Sequence, residues 1–368
     1  MALTDWMAAY KDRTLGNMHL PGSHDAGITK NFINFKGGWT SNTATQNLSI
    51  ADQLLAGTRF FDLRLSEYKK QVVVKHTAEL GGKDTGIGGY SKSSIDDILV
   101  SAAKFCLKYT SEVVIFRISH TKLSTKADEI IKASGGKALH TGTGNLCNKT
   151  LEQIVSTGGG LVCILDAKKF GTVIDQSAGV HSFTKYNNGG DDKGIACCGC
   201  YSGTHKLAQV VRNGLKGQYE HNEKHNPVNH DHLWQVYWQK TYLNPFSTTG
   251  IETGTKKRFS YSRSEKSVHG GTHAGTDHMI KLMQGLGQHK GESYELEPEE
   301  FHKVKVGPIK AGAMAYKKVV DKEAVMYSTL AVRNYTLPNI FSYDFVNEDI
   351  NEKIIAMNTK SLQKLEDE

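Results

Sequence analysis

Arg59-Phe60-Phe61-Asp62-Leu63-Arg64 reads as a short strand, apolar through its middle and ending in ionisable groups. The same pattern recurs at residues 16–20, 72–76, 113–119, 161–166, 195–198, 233–239 and 339–344. Helix-period stretches separate several of these runs, at 94–109, 126–134, 206–219, 299–319 and 349–364. Eight strands alternating with helices predict an α/β chain folded as a (β/α)8 barrel of TIM type rather than an open sheet. One link resists that plan. Only residues 65–71 join the second and third runs, too few for a parallel crossover with a helix. The chain there returns extended or forms a hairpin, so the barrel is expected to be distorted or incomplete.

No shift in composition marks a boundary, and residues 1–368 are read as a single domain. The Gly-, Ser-, Thr-, Lys- and His-rich stretch 241–291 is expected to be a rim excursion with a short helix. Six prolines against 37 glycines argue against a Pro-rich linker. No run approaches the roughly 20 apolar residues that span a bilayer, which excludes an integral helical membrane protein. Residues 1–10 show no basic patch followed by an apolar stretch. Export without a visible signal is the expectation, with a cytoplasmic location as the alternative.

Lys and Arg outnumber Asp and Glu by 45 to 38, a net charge of +7 that suits an anionic partner. The basic residues do not alternate with aromatics and no zinc-finger or RNP-like signature is present, so nucleic acid is not expected. The six cysteines make no disulfide framework. Cys106 and Cys163 lie in apolar runs and read as small buried hydrophobes. Cys197-Cys198-Gly199-Cys200 lacks a second paired-ligand motif, and no metal is assigned to it. His221, His225, His230 and His232 have the wrong order for a zinc protease, His-Asn-Glu-Lys-His in place of His-Glu-x-x-His. A solvated helix-to-loop transition accounts for them.

In a barrel of this kind chemistry gathers at the C-terminal ends of the strands. Those ends read His24-Asp25, Asp62-Leu63-Arg64, Lys75-His76, Ser119-His120, Asp166 and Asp344. Two histidines, an arginine and supporting carboxylates are a kit for phosphoryl transfer without a metal. One imidazole takes the proton of an attacking hydroxyl and the other protonates the leaving oxygen. The guanidinium binds the non-bridging oxygens, and an aspartate on the far nitrogen of an imidazole fixes its tautomer.

The segments 20–27, 52–64, His76-Thr77, 111–119 and 338–346 closely resemble the X domain of phosphatidylinositol-specific phospholipase C. The resemblance runs in outline from Trp6 to Asn358 and is loose over 167–330. It implies that His24 is the general base for the inositol 2-hydroxyl, oriented by Asp344, and that His76 is the general acid, assisted by Asp25. Arg64 stands where calcium-dependent members place a carboxylate and metal-independent bacterial members an arginine, so neither metal nor cofactor is expected. Asp62 then orients Arg64 or contacts substrate. The members' basic residues on the fourth and fifth strands are replaced by Ser119-His120 and Asp166-Ala167-Lys168, which leaves the exact headgroup open.

Trp234, Tyr237 and Trp238 alternate along one run, and Tyr237 and Trp238 are candidates to stack on a sugar ring. Phe32, Phe35 and Trp39 follow the His24 turn, and the resemblance places a tryptophan at that distance on a lipid-touching helix; Lys30, Lys36 and the run 256–258 add charge. The expected function is cleavage of inositol phospholipids by a monomer acting peripherally on a phospholipid surface, giving diacylglycerol and a cyclic inositol phosphate. The rivals are a metal-dependent glycerophosphodiesterase or sphingomyelinase D-like enzyme, disfavoured by Arg64, and an inactive phosphoinositide-binding module, disfavoured by the complete kit.

Overall fold

The computed structural model describes residues 2–35, 43–80, 83–119, 123, 127–166, 173–185, 193–200, 231–237 and 338–363. The strands are β1 (Leu20–Ser23), β2 (Ile33–Phe35), β3 (Phe60–Tyr68), β4 (Gln71–Leu80), β5 (Lys83–Ser94) and β6 (Val114–Ser119). They continue with β7 (Leu161–Leu165), β8 (Val180–Lys185), β9 (Gly194–Cys200), β10 (Leu233–Tyr237) and β11 (Ile340–Tyr343). The helices are α1 (Ile50–Leu55), α2 (Ile95–Lys108), α3 (Ala127–Gly135), α4 (Leu151–Val155) and α5 (Glu348–Gln363).

Eight strands, in the order β1-β3-β6-β7-β8-β9-β10-β11, pair in parallel, and β11 returns to β1. The ring of strands is closed. The period-2 alternation of a strand then sorts side chains to two sides. Phe61, Leu63 and Leu65 of β3 enter the outer apolar layer with Ile95, Ile98, Leu99, Ala102 and Cys106 of α2. Phe60 belongs to the inner cluster with Leu20, Ile115, Val162, Ile164, Ile195, Cys197, Leu233 and Ile340. Full burial of each of these large side chains contributes about 1.5–3 kcal/mol before conformational entropy is counted. Further along the same strands the inward positions turn polar, as Asp62, Arg64, Arg117, Ser119, Gln235, Tyr237, Ser342 and Asp344. Gly22 stands among them because a Cβ there would lie 2.9 Å from the Ile340 side chain and 3.1 Å from the Phe341 carbonyl oxygen.

The N-terminal end of the barrel is stoppered by the 3-10 turns Trp6–Tyr10 and Leu15–Asn17, whose Trp6, Met7 and Leu15 are wholly buried. Arg59 anchors this plug. Its Nε donates to Glu112 Oε2 at 2.6 Å, and its other nitrogens donate to the carbonyls of Leu54, Thr58, Leu3 and Thr4. Helix α2 starts at a capping box in which Ser94 and Asp97 satisfy each other's backbone N–H. Helix α5 closes the seam: Asn358 exchanges two hydrogen bonds with the His19 backbone, and Asn351 bonds Ala56 O, Thr58 Oγ1 and the Tyr343 hydroxyl.

The distortion expected from the short 65–71 link is a hairpin. Strand β3 leaves the ring after Arg64 and pairs antiparallel with β4, which pairs with β5, which pairs with β2. This small sheet stands on the C-terminal end of the barrel. Residues 72–76 are therefore not a barrel strand, and His76 does not lie at a barrel-strand end. The eighth ring position belongs to β8, Val-His-Ser-Phe-Thr-Lys, whose mixed polarity hid it from a search for apolar runs. The first strand is displaced as well: 15–17 is a 3-10 turn and the strand is Leu20–Ser23, because Pro21-Gly22 reads as a breaker although Pro21 O accepts from Arg59 N in the sheet. Strand β5 gave no periodic signal, yet Gly88, at φ 142°, lies where a Cβ would come within 2.1 Å of His76 O. Helices expected at 94–109, 126–134 and 349–364 are α2, α3 and α5; those at 206–219 and 299–319, and the excursion 241–291, lie outside the described residues.

Candidate active site

The site is assembled from the polar ends of β1, β3 and β11 and from β4 folding back over them. His24 follows β1 directly, is 2% exposed, and its Nδ1–H donates to Asp344 Oδ1 at 2.8 Å. That bond leaves Nε2 as the lone-pair nitrogen. Nε2 lies 3.5 Å from Arg64 Nη2 and 3.3 Å from Asp25 Oδ2. Asp25 takes a left-handed backbone conformation, φ 42°, which aspartate adopts more readily than most residues. The turn brings its fully buried carboxylate beside two basic partners. Arg64 Nε lies 2.8 Å from Asp25 Oδ1, and His76 Nε2 lies 3.5 Å from Asp25 Oδ2. His76 Nδ1–H donates to the Thr43 carbonyl at 2.7 Å. The two imidazoles face each other edge-on, with centroids 6.5 Å apart and planes at 78°.

Burial opposes a charge on His24, but the carboxylates of Asp25 and Asp344 and the hydrogen bond to Asp344 outweigh it, with Arg64 acting against them. The net effect raises the His24 pKa above its usual 6.5, which makes Nε2 a stronger base than an ordinary imidazole. His24, Asp25 and Asp62 offer ligand-type atoms within 4.8 Å of one another. Arg64 already pairs Asp25, and the charge of Arg117 acts on Asp62, so two fixed guanidinium groups crowd this trio.

Arg117 is the residue that sequence reasoning missed. It points into the barrel on β6, donates to Gln235 Oε1 at 3.2 Å and to the Tyr237 hydroxyl, and lies 4.3 Å above the Phe183 ring. Burial lowers its pKa, but Tyr237, Asp62 and Cys197 together raise it, and burial pushes the Tyr237 hydroxyl up to about 12. An arginine inside Val-Ile-Phe-Arg-Ile-Ser, in step with Ser119, was the available signal. Thr43 acts through its backbone carbonyl and offered none.

The remaining expected residues divide. Asp62 is buried beside His24 and Asp25, and Ser119 is buried opposite Arg64 in the β3–β6 register. Tyr237 presents its ring edge-on to His24 with centroids 6.5 Å apart. Asp166 follows β7 and is partly exposed. Trp234 is buried but absent from the inner cluster, whereas Tyr237 faces Arg117. Phe32 is half-buried, packed on the outer cluster and over Gly89, so part of its surface serves packing. His120, Lys168, Trp238 and Trp39 lie outside the described residues, as do the side chain of Phe35 and residues 256–258.

Cys197 and Cys198 point to opposite faces of β9, and burial raises both thiols, Cys197 to about 12. His232 precedes β10 and bonds Asp231 Oδ1 at 2.8 Å; His221, His225 and His230 lie outside the described residues.

No family model matches the chain. Over 143 residues, 35% of the chain, it is 25% identical to a PI-PLC X-box domain-containing protein of Dictyostelium discoideum, and the match spans 18% of that relative's length. A solved structure of the phosphatidylinositol-specific phospholipase C of Staphylococcus aureus, concerned with its membrane binding, superposes with a TM-score of 0.56 and 16% identity. That alignment covers 96% of this chain and 97% of the other. The chain has the PI-PLC X-box domain fold. The enzyme of Listeria monocytogenes aligns over 97% of this chain and 98% of its own at 14% identity, with a TM-score of 0.49. Among the described residues no helix is long and apolar enough to cross a membrane.

Proposed function

We propose that the chain is a metal-independent phospholipase C for inositol phospholipids. The observation that carries the reading is the convergence of two imidazoles and a guanidinium on one carboxylate, Asp25, with Asp344 behind His24. His24 Nε2 takes the proton of the inositol 2-hydroxyl, whose oxygen attacks phosphorus. The phosphorus–oxygen bond to glycerol breaks, and the departing oxygen takes the proton of His76 Nε2. Diacylglycerol and a cyclic inositol phosphate result, and the proton gained by His24 balances the one lost by His76 until both exchange with water. Arg64 binds the non-bridging oxygens and holds the charge that grows on them.

The barrel interior beneath these groups is polar, which supports a polyhydroxylated ring as the substrate. Ser119 Oγ, Ser342 Oγ, Gln235 Nε2 and Asp62 Oδ1 are buried and have no hydrogen-bond partner among the described residues. Hydroxyls that both donate and accept meet all four. Tyr237 supplies a wall, and Asp166, with His120, Lys168 and Trp238 from the sequence reading, is proposed as a further substrate contact. Phe32, Phe35 and Trp39 would carry the enzyme onto a phospholipid surface, in keeping with the membrane binding named for the S. aureus enzyme.

The test is product identification after incubation with phosphatidylinositol vesicles. Diacylglycerol with cyclic inositol phosphate is the expected pair. Phosphatidic acid, free glycerophosphate or no turnover would overturn the reading, the last in favour of a binding module.

A further inference from the structure

We propose that Gln46, supported by Thr43 and Thr45, is the positioning residue that holds the His24–Asp344 dyad in register across the seam of the barrel. This rests on the reading of His24 as general base. Gln46 is fully buried, and its side-chain amide is engaged at both ends. Nε2 donates to the His24 carbonyl at 2.9 Å and to the Tyr343 carbonyl at 3.3 Å, while Oε1 accepts from Val346 N at 3.0 Å. One side chain therefore grips the backbone of the base and the backbone on both sides of Asp344.

The neighbouring residues extend the grip. Thr45 O accepts from Phe345 N at 2.7 Å, and Thr45 Oγ1 donates to Asp25 O at 2.8 Å. Asp25 and Phe345 follow the two members of the dyad, and both hold left-handed backbone conformations at φ 42° and 57°. Such conformations persist where the surroundings over-determine them, and Thr43–Gln46 is what surrounds these two. Thr43 O completes the strap by accepting from His76 Nδ1. None of the three residues touches a reacting atom in the proposed mechanism, so they act through the groups they hold. Displacement of a catalytic pair by about 1 Å costs on the order of 10²-fold in rate.

The groups facing His24 are Asp25, Asp62, Arg64, His76, Tyr237 and Asp344. Gln46→Met keeps the length of the side chain and removes all three hydrogen bonds. The readout is the NMR titration of the His24 imidazole in the full chain. It is expected to move toward lower pH in Gln46→Met, as in Asp344→Asn, with no further movement when the two are combined. Turnover on inositol lipid is expected to fall about 10–10²-fold with KM little changed. If Gln46→Met does not fold, the same titration on Gln46→Glu, which keeps Oε1 as acceptor for Val346 and loses both donations, takes its place. A His24 titration equal to wild type in a folded variant, or shifts that add in the double variant, would overturn the assignment. The titration reads the dyad whether or not the chain cleaves lipid, so absent activity and a misassigned Gln46 give different results.

Discussion

Arg59, just before β3, and Arg64, within it, each pair with a carboxylate, and the two pairs are built in opposite ways. Arg59 and Glu112 meet at 2.6 Å with both side chains wholly buried, and further Arg59 N–H groups are taken by four backbone carbonyls. Burial raises the Glu112 carboxyl and lowers the Arg59 guanidinium pKa, each only partly offset by the partner. Arg64 and Asp25 meet at 2.8 Å, but the Arg64 side chain is 21% exposed, and Asp25 is shared with His24 and His76. The first pair is a closed knot that ties the N-terminal plug to the barrel. The second leaves guanidinium surface open toward the barrel mouth, where a phosphate would bind. A pair satisfied by backbone holds a fold together, and a pair satisfied by other titratable groups is poised for proton transfer.

The largest effects test the open pair. His24→Ala and His76→Ala should each lower lipid turnover by about 10²–10⁴-fold while the thermal midpoint stays close to wild type. A substrate whose leaving group needs no proton should partly rescue His76→Ala and leave His24→Ala defective. Equal rescue would reverse the assigned roles. Glu112→Gln tests the closed pair: it leaves a buried Arg59 charge without its counter-ion and should cost about 3–5 kcal/mol in denaturant unfolding. Turnover per folded molecule should hold under conditions where the variant is native, and a catalytic loss without destabilisation would erase the contrast.

Between the two lies Arg117, whose hydroxyl partner is a milder probe. Tyr237→Phe removes the bond to Arg117 and keeps the ring, and it should weaken kcat/KM by about tenfold, mainly through KM. A fall confined to kcat would place Tyr237 in the proton transfers instead.

The smallest effect is acid lability. Burial holds His19 and His140 down to about 4, and lowers His181, whose ring stacks on His140 at 5.3 Å. Unfolded imidazoles titrate near 6.5, so below that pH the unfolded chain binds protons that the folded chain refuses. Stability should fall as pH drops from about 6.5 toward 4. His24, whose folded pKa is raised, works in the opposite sense: its contribution is present below about 6.5 and lost as pH rises through the folded value. Urea midpoints at pH 7 and pH 5 decide, and equal midpoints would mean that the two sets cancel.

The sequence showed the open pair more clearly than the closed one. His24, Asp25, Asp62, Arg64 and Asp344 were legible because strand-end polarity after an apolar run marks the mouth of a barrel. His76 was picked from a run read as a barrel strand and lies instead on a hairpin, since the two look alike over five residues. Strands β5 and β8 were invisible, one glycine-rich and one of mixed polarity, because their stability comes from pairing rather than from their own pattern. Arg59 fell inside the segment 52–64 that carries the resemblance and Glu112 at the start of a generic strand, and neither was marked as the other's partner. The groups that act through backbone atoms, Thr43 and the carbonyls around Arg59, leave no trace in side-chain chemistry.

The division of labour between Arg59 and Arg64 is tested most directly by turnover of phosphatidylinositol vesicles in excess EDTA, measured for wild type and for Arg64→Lys. Lysine keeps a positive charge near Asp25, so unfolding should change by less than about 1 kcal/mol. It loses the planar fork that spans two phosphate oxygens. Undiminished wild-type activity in EDTA, with Arg64→Lys slower by about 10²-fold or more, is the predicted result. A strict requirement for Ca²⁺, or an Arg64→Lys variant as fast as wild type, would contradict it.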